Sequence, residues 1–255
     1  MSTKFFTNQD TNTLLNKFKG IFEHNTDIEN FDALVGYFRA SGYFKVRPFL
    51  DNVPHIRILV GIDVDKILAK YQSKGLLFQG DANQTLIEFL SEIKSDIQEA
   101  EYNQEIEEGI LQFIEDIATK KIEIKAHPSK KLHAKIYIFK PKGWNEHKSG
   151  YVITGSSNLT ENGLGGTDNF NYEFNVQLKD YDDVKFASDE FERLWIEGIF
   201  ILPVEINKVK QETFLNDDFT PFEVYIKFLI EYFGKSVDFD PNSVSDLPEG
   251  FKRLS

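Results

Sequence analysis

Two side chains with reactive chemistry, His133 and Lys135, sit two apart in the run Lys131-Leu-His-Ala-Lys-Ile-Tyr-Ile-Phe139. In an extended chain alternate side chains share a face, so this spacing sets an imidazole beside an ammonium. That pairing suits a phosphate group. Leu132, Ala134, Ile136 and Ile138 would then face a core, with His133, Lys135 and Tyr137 on the other side. A second polar stretch, Thr154-Gly-Ser-Ser-Asn-Leu-Thr160, follows an apolar run. Gly155 permits close backbone approach, and Ser156, Ser157 and Asn158 bring short polar groups to a strand end. If a helical turn starts there, its free N–H groups favour an anion. The third piece is Glu173, which shares a strand face with Asn175 and Gln177 and could fix a histidine tautomer through Nδ1–H. Each piece also has an ordinary reading: a structural histidine, a polar turn, a half-exposed strand.

The elements that must position these residues follow from apolar periodicity. Leu14, Leu15, Phe18 and Phe22 recur at helical spacing over 10–22, with Asn12 or Thr13 as cap. Phe31–Tyr37 and Ile56–Ile62 are short apolar runs rich in β-branched residues and read as buried strands, with a helix over 39–52 between them. A further helix is expected from Val64 to about Gln72. Strand, helix, strand implies a βαβ unit and an α/β sheet. Residues 83–119 predict two antiparallel helices that break near 102–104. Strands are then expected at 122–126, 132–139, 151–155 and 172–178, and a helix at 182–195. Thr220-Pro221-Phe222-Glu223 starts a capped helix that Gly234 closes. The expected organisation is a domain over 1–200, with an acidic helical insertion at 81–120, and a C-terminal helix and linker over 201–255.

Composition narrows the classes. The 255 residues include no cysteine, which excludes disulfide scaffolds, thiolate metal sites and cysteine nucleophiles. No apolar run reaches the roughly 18–20 residues of a membrane span, and the first residues lack the pattern of a secretory signal, so a soluble, cytoplasmic protein is expected. The formal charge is −12, but it is unevenly placed. Residues 81–116 hold eleven acidic residues against Lys94 alone, whereas 125–148 hold seven lysines against Glu146. An acidic chain usually avoids polyanions, yet this basic segment restores that possibility locally. Lys130, Lys131, Lys140 and Lys142 are the expected nucleic-acid contacts. The acidic helices read as a solvated face. The spacing of the remaining histidines predicts no metal site.

Taken together, His133-x-Lys135, then Gly155-Ser-Ser-Asn-Leu-Thr-x-x-Gly-Leu164, then Glu173 on a strand, resemble the phospholipase D superfamily in its bacterial nuclease-like branch. The resemblance covers roughly residues 10–200. It implies a mixed β-sheet flanked by helices on both faces, with one motif per chain. It also departs in one place: the family motif carries Asp five residues after the lysine, where this chain has Lys140. The implied chemistry is metal-independent and needs no cofactor. His133 attacks phosphorus to form a phosphohistidine. Lys135, Asn158 and Ser156 hold the non-bridging oxygens, and Glu173 orients His133. One imidazole cannot be nucleophile and acid in the same step, so a second His133 is implied, from a homodimer whose two-fold axis passes near the site.

Val35-Gly-Tyr-Phe-Arg-Ala-Ser-Gly-Tyr43 and Ile56–Ile62 are similar to the front of phospholipase D-like modules fused to bacterial superfamily-two helicases. The resemblance implies DNA as partner and a helicase motor in the same full-length chain; no nucleotide-binding Gly-x-x-x-x-Gly-Lys-Ser/Thr loop occurs in these residues. Three readings follow: a phosphodiesterase acting on DNA; a nucleic-acid-binding and dimerisation module without turnover, which Lys140 in place of Asp would favour; and a lipid phosphodiesterase. No amphipathic segment with a basic face points to a membrane.

Overall fold

A computed structural model describes residues 4–9, 11–36, 38–61, 87, 90–91, 104–127, 132–165 and 171–201. The strands among them are β1 (Phe5–Thr7), β2 (Ile28–Val35), β3 (His55–Val60), β4 (Glu123–Ala126), β5 (Ile136–Pro141), β6 (Tyr151–Gly155), β7 (Phe174–Leu178) and β8 (Ile199–Phe200). They form one mixed sheet in the order β1-β7-β6-β5-β2-β3-β4-β8. The helices are α1 (Leu14–His24), α2 (Ala40–Val46), α3 (Gln104–Ala118), α4 (Glu161–Leu164) and α5 (Tyr181–Glu197).

Strand β2 is the seam of the sheet. It runs parallel to β3 and antiparallel to β5. Its residues divide by parity. Phe31, Ala33 and Val35 enter the larger core, and Leu34 enters a second core on the opposite face. The larger core is closed by α1, α2 and α3 through Leu14, Phe18, Tyr43, Val46 and Phe113. The second is closed by α5 through Val184, Phe191, Leu194 and Trp195. Both faces are therefore covered, which is why β2 and β3 read as nearly continuous apolar runs. Phe18 contributes most visibly, with its ring edge-on to Phe31, Tyr137 and Phe139; burying such a side chain is worth about 1.5–3 kcal/mol.

Local chemistry sets the ends. Thr13 caps α1, its side chain accepting from the Asn16 N–H at 3.2 Å, an interaction worth about 1 kcal/mol. The helix expected over 39–52 is instead α2 followed by a 3-10 turn, Arg47–Phe49, because Pro48 cannot continue the ladder. Helix α3 is the second of the acidic pair. Its Asp116 is not solvated: it is buried and accepts from Tyr43 Oη (2.6 Å), Arg47 and Gln112, which ties α3 to α2.

Three expectations are corrected. The strand expected over 132–139 starts only at Ile136 and runs on to Pro141, so His133 and Lys135 precede it. The face opposite Ile136 and Ile138 is not a bare one: Tyr137 and Phe139 on it belong to the larger core. Strands β1 and β8 pair at the two edges of the sheet, where the sequence pattern predicts none. Too short to show a period, they are held by partners distant in sequence. The helices expected at 64–72 and 220–234, the first acidic helix, and the segment 202–255 lie outside the described residues.

Candidate active site

The site forms at the end of the sheet where the parallel strands β2, β3 and β4 finish and β5 begins. In α/β sheets this is the end where a crevice opens and ligands bind. Leu132 and His133 cross this end on two glycines. A Cβ at Gly36 would sit 2.8 Å from the Leu132 carbonyl oxygen and 3.1 Å from His133 Cα. A Cβ at Gly61 would sit 2.5 Å from the same oxygen. Gly36 and Gly61 therefore set the height of His133 above the sheet.

His133 is exposed, whereas Lys135 is only 4% exposed. Lys135 Nζ lies 2.9 Å from His133 Nδ1 and donates to the His133 carbonyl at 2.7 Å. An ammonium has no lone pair, so Nδ1 is the acceptor and a neutral ring carries its proton on Nε2. Burial pulls the Lys135 ammonium below the ordinary lysine value, and the charge of Glu173 works against that pull. Glu173 is thus an electrostatic neighbour of Lys135.

Ser156, Asn158 and Glu173 are brought to the same end of the sheet by β6 and β7. Glu173 does not hold the His133 ring as expected; its carboxylate accepts from the Ser156 hydroxyl. Ser156 Oγ in turn accepts from the Phe174 N–H at 3.0 Å, which pins the hydroxyl between the two strands. Ser157 points the other way and is fully buried. Asn175 Nδ2 donates to its Oγ at 2.9 Å, and Tyr137 Oη donates to its carbonyl at 2.9 Å. Burial raises the Tyr137 hydroxyl far above its usual range, so it remains a donor. Of the two serines, one reaches the site and its neighbour anchors the loop. The Thr160–Gly165 segment then turns into α4. Its Gly163 N–H is taken by the Thr160 hydroxyl at 3.1 Å, so that donor is spent within the chain.

Two residues outside the sequence-based set, Asn8 and Asn175, help to build this site, and a third, Arg39, lines the cavity beside it. Asn8, 1% exposed just after β1, donates to the Asn171 carbonyl at 2.7 Å and accepts from the Glu173 N–H at 3.0 Å. It clamps the entry to β7. Asn175 anchors Ser157. Arg39 lines a cavity of about 390 Å³ together with Asn158, Asn162, Asn171 and Glu173. Arg39 carries a sequence signal inside the run 35–43 and Asn175 one by its alternation with Glu173; Asn8 carries none.

The structure does not bring Lys140 or Lys142 to His133. Lys140 projects to the α5 face, donates to Ser188 Oγ at 2.8 Å and lies 3.5 Å from buried Asp32. Where the family motif has an acid, this chain has a lysine facing an acid on β2. Lys142 is exposed in the turn after β5, its N–H bonded to Asp27 at the far end of the sheet. Lys130 and Lys131 lie outside the described residues. Among the described residues no three His, Asp or Glu converge as a metal-ligating group, and no helix is long and apolar enough to cross a membrane.

No curated protein matches the chain in sequence. Among solved structures it is similar to the phospholipase D family member Nuc from Salmonella typhimurium, at 11% identity over 79% of this chain and 98% of that one, with a TM-score of 0.45. It is also similar to NucT from Helicobacter pylori, at 12% identity over 74% and 91% of the two chains, with a TM-score of 0.37. A third is phosphatidylserine synthase from Haemophilus influenzae, at 12% identity and a TM-score of 0.43; 86% of this chain is covered but only 44% of the synthase. The family described as cardiolipin synthase, PLD-like domain, matches residues 40–195, well over half the chain and the whole stretch from His133 to Glu173. The chain belongs to this phospholipase D-like family.

Proposed function

We propose that this protein is a phosphodiesterase that cleaves nucleic acid through a phosphohistidine at His133, without a metal. The observation that carries the reading is the exposed His133 ring, held 2.9 Å from a buried lysine at the open end of the sheet. Lys135 is the nearest cation for a non-bridging phosphate oxygen, with Ser156 and Asn158 as further donors. An arriving phosphate draws the ammonium off Nδ1, which frees the ring to take the Nδ1–H tautomer and expose the Nε2 lone pair. Nε2 then bonds to phosphorus as the bond to the leaving oxygen breaks, and a second imidazole gives that oxygen its proton. Water attacks the phosphohistidine, yields its proton to the second imidazole and releases His133 with a phosphomonoester.

The second imidazole comes from another copy of the chain. Among the described histidines, His127 is fully buried with its Nε2 3.2 Å from Glu197, and His24, His55 and His147 lie away from the Lys135 pairing. A homodimer that presents two His133 rings to one phosphate supplies it. The resemblance of residues 35–43 to helicase-fused modules supports DNA as the substrate and a motor domain as the neighbour in a longer chain.

Protein quenched in alkaline detergent after incubation with 32P-labelled DNA is expected to carry an acid-labile, alkali-stable phosphoryl adduct that is lost in His133→Ala. Cleavage should persist in excess chelator. Chelator-sensitive cleavage, or cleavage unchanged by the substitution, would overturn the reading. A second reading rests on one observation: with Lys135 on Nδ1, the resting ring offers no lone pair at Nε2. A nucleic-acid-binding and dimerisation module without turnover fits that state. It predicts salt-sensitive DNA binding, no product and no adduct.

A further inference from the structure

Beside the reacting groups lies the cavity of about 390 Å³ that shares Asn158 and Glu173 with them. Its other walls are Arg39, Thr160, Glu161, Asn162, Gly163 and Asn171. None carries an apolar side chain and most of the lining is polar, so an acyl chain would find little surface to bury against. The side chains are amides, a hydroxyl, carboxylates and a guanidinium, the groups that pair with base edges and sugar hydroxyls. The two carboxylates are already engaged: Glu161 is 3.5 Å from Lys45, and Glu173 accepts from Ser156. Arg39 is the cation among these walls.

The fold holds these walls rigidly from two sides. Phe38 forms a parallel bridge with Leu159, and the Arg39 N–H donates to the Leu159 carbonyl at 3.2 Å. One turn on, Gly42 lies against the same backbone: a Cβ there would sit 2.5 Å from the Leu159 oxygen and 2.6 Å from Thr160 Cα. The start of α2 is thus docked, backbone to backbone, on the segment that carries Asn158. On the opposite wall Asn8 fixes Asn171 and Glu173.

We infer that this cavity is a nucleoside-binding subsite. It takes the nucleoside next to the scissile phosphate, Arg39 and Asn162 hydrogen-bond its base or sugar, and its polar walls select a nucleic-acid diester over a lipid one. The inference rests on the phosphodiesterase reading above and says which ester that site receives.

Arg39→Ala, Arg39→Lys and Asn162→Ala test it against three substrates: a single-stranded oligonucleotide of random sequence, bis(p-nitrophenyl) phosphate, and a short-chain phosphatidylglycerol in vesicles. Arg39→Ala and Asn162→Ala are expected to raise KM for the oligonucleotide about tenfold or more, the scale of removing one charge-assisted or buried hydrogen bond. They should flatten the nucleotide preference at the product ends and leave kcat/KM for the nitrophenyl diester within about threefold. Arg39→Lys, which keeps charge but loses the planar fork, should fall between. The vesicles should not be cleaved.

Equal losses on both soluble diesters, unchanged KM for the oligonucleotide, or vesicle cleavage that survives Asn162→Ala would each overturn the subsite. If wild type cleaves nothing, the hydrolytic reading fails and the subsite is judged by binding alone. A fluorescein-labelled trinucleotide should then bind His133→Ala at least about tenfold more tightly than it binds the double variants with Arg39→Ala or Asn162→Ala. Equal binding would overturn it.

Discussion

The two ends of the sheet carry cavities of nearly the same size, about 390 Å³ at the His133 end and about 370 Å³ at the other. The far cavity is the richer in cations: Arg57, Lys120, Lys121 and Lys140 line it, with His55. Three of the four, Arg57, Lys121 and Lys140, are spent. Arg57 Nε donates to Asp32 at 2.7 Å, and its other nitrogens grip Glu192 at 3.2 and 2.6 Å. Burial alone would weaken the Arg57 charge, but these two carboxylates more than restore it, and Arg57 in return pulls Glu192 down. Lys121 donates to two backbone carbonyls, those of Asp51 and Val53. Lys140 is held by Ser188 and Asp32. At the His133 end Lys135 reaches only two residues back, to the His133 ring and carbonyl, and Ser156 and Glu173 hold each other. Cation density alone would choose the wrong end. What marks the site is a cation, Lys135, whose partners are local enough to be exchanged for a ligand's.

The largest expected effects separate the ends by kind. His133→Ala should lower kcat by about 10⁴-fold, since it removes the attacking atom, and leave stability within about 0.5 kcal/mol because the ring is exposed. Asp32→Ala should do the reverse. It strands Arg57 and Lys140 against a 0%-exposed position, and breaking such a pair costs about 3–5 kcal/mol. Activity per folded molecule should hold. Thermal melts beside single-turnover rates check both, and a large rate loss in the folded Asp32 variant would collapse the contrast.

Next in size is Gly36→Ala. The added methyl meets the Leu132 carbonyl and His133 Cα, both backbone, so the chain that carries the ring must move. A displacement of the order of 1 Å at a reacting group costs about 10²-fold in rate. The expected result is a fall in kcat with KM nearly kept, and unchanged kcat would show that the backbone yields elsewhere.

The pH response tests the charge pair at the site. Lys135 must be an ammonium to hold phosphate. Burial has lowered its pKa, so the alkaline fall in kcat/KM should begin below the pH of an ordinary lysine. The Glu173 charge opposes that lowering, so Glu173→Gln should move the alkaline limb further toward neutral. A limb that moves the other way would mean that another group titrates there.

Much of this is legible in the residues. Strands β2, β3 and β6 and helices α1 and α5 announce themselves because their apolar periods are long enough to read or their runs are buried on both faces. His133, Lys135, Ser156, Asn158 and Glu173 stand out by residue type and order, and the structure gathers them at one end of the sheet. What escapes the sequence depends on distant partners. Nothing near residue 8 foretells that Asn8 will clamp Glu173, since the clamp exists only once β1 pairs with β7. Nothing in the 125–148 segment tells which lysines share an end, because that depends on where β5 starts and stops: Lys135 lies just before it, Lys140 on it and Lys142 in the turn after it. Glu173 lies just before β7, and strand alternation does not say whether it reaches His133 or Ser156.

The smallest expected effect is therefore that of Lys142→Ala. Lys142 is nine residues past His133 at the other end of β5, at most about 30 Å away at about 3.3 Å per residue, and its side chain is exposed. Each phosphate that a lysine neutralises adds about 0.7–0.9 to the steepness with which log K falls against log salt. If nucleic acid binds only across the His133 end, Lys142→Ala leaves that slope and the affinity for a short oligonucleotide unchanged within about twofold, as expected of a surface substitution. The same holds for a longer duplex unless the strand tracks down the sheet. A slope that becomes shallower by about one unit, and only with the longer DNA, would extend the binding path to the turn after β5. The basic segment would then serve as a track whose far end lies away from the chemistry.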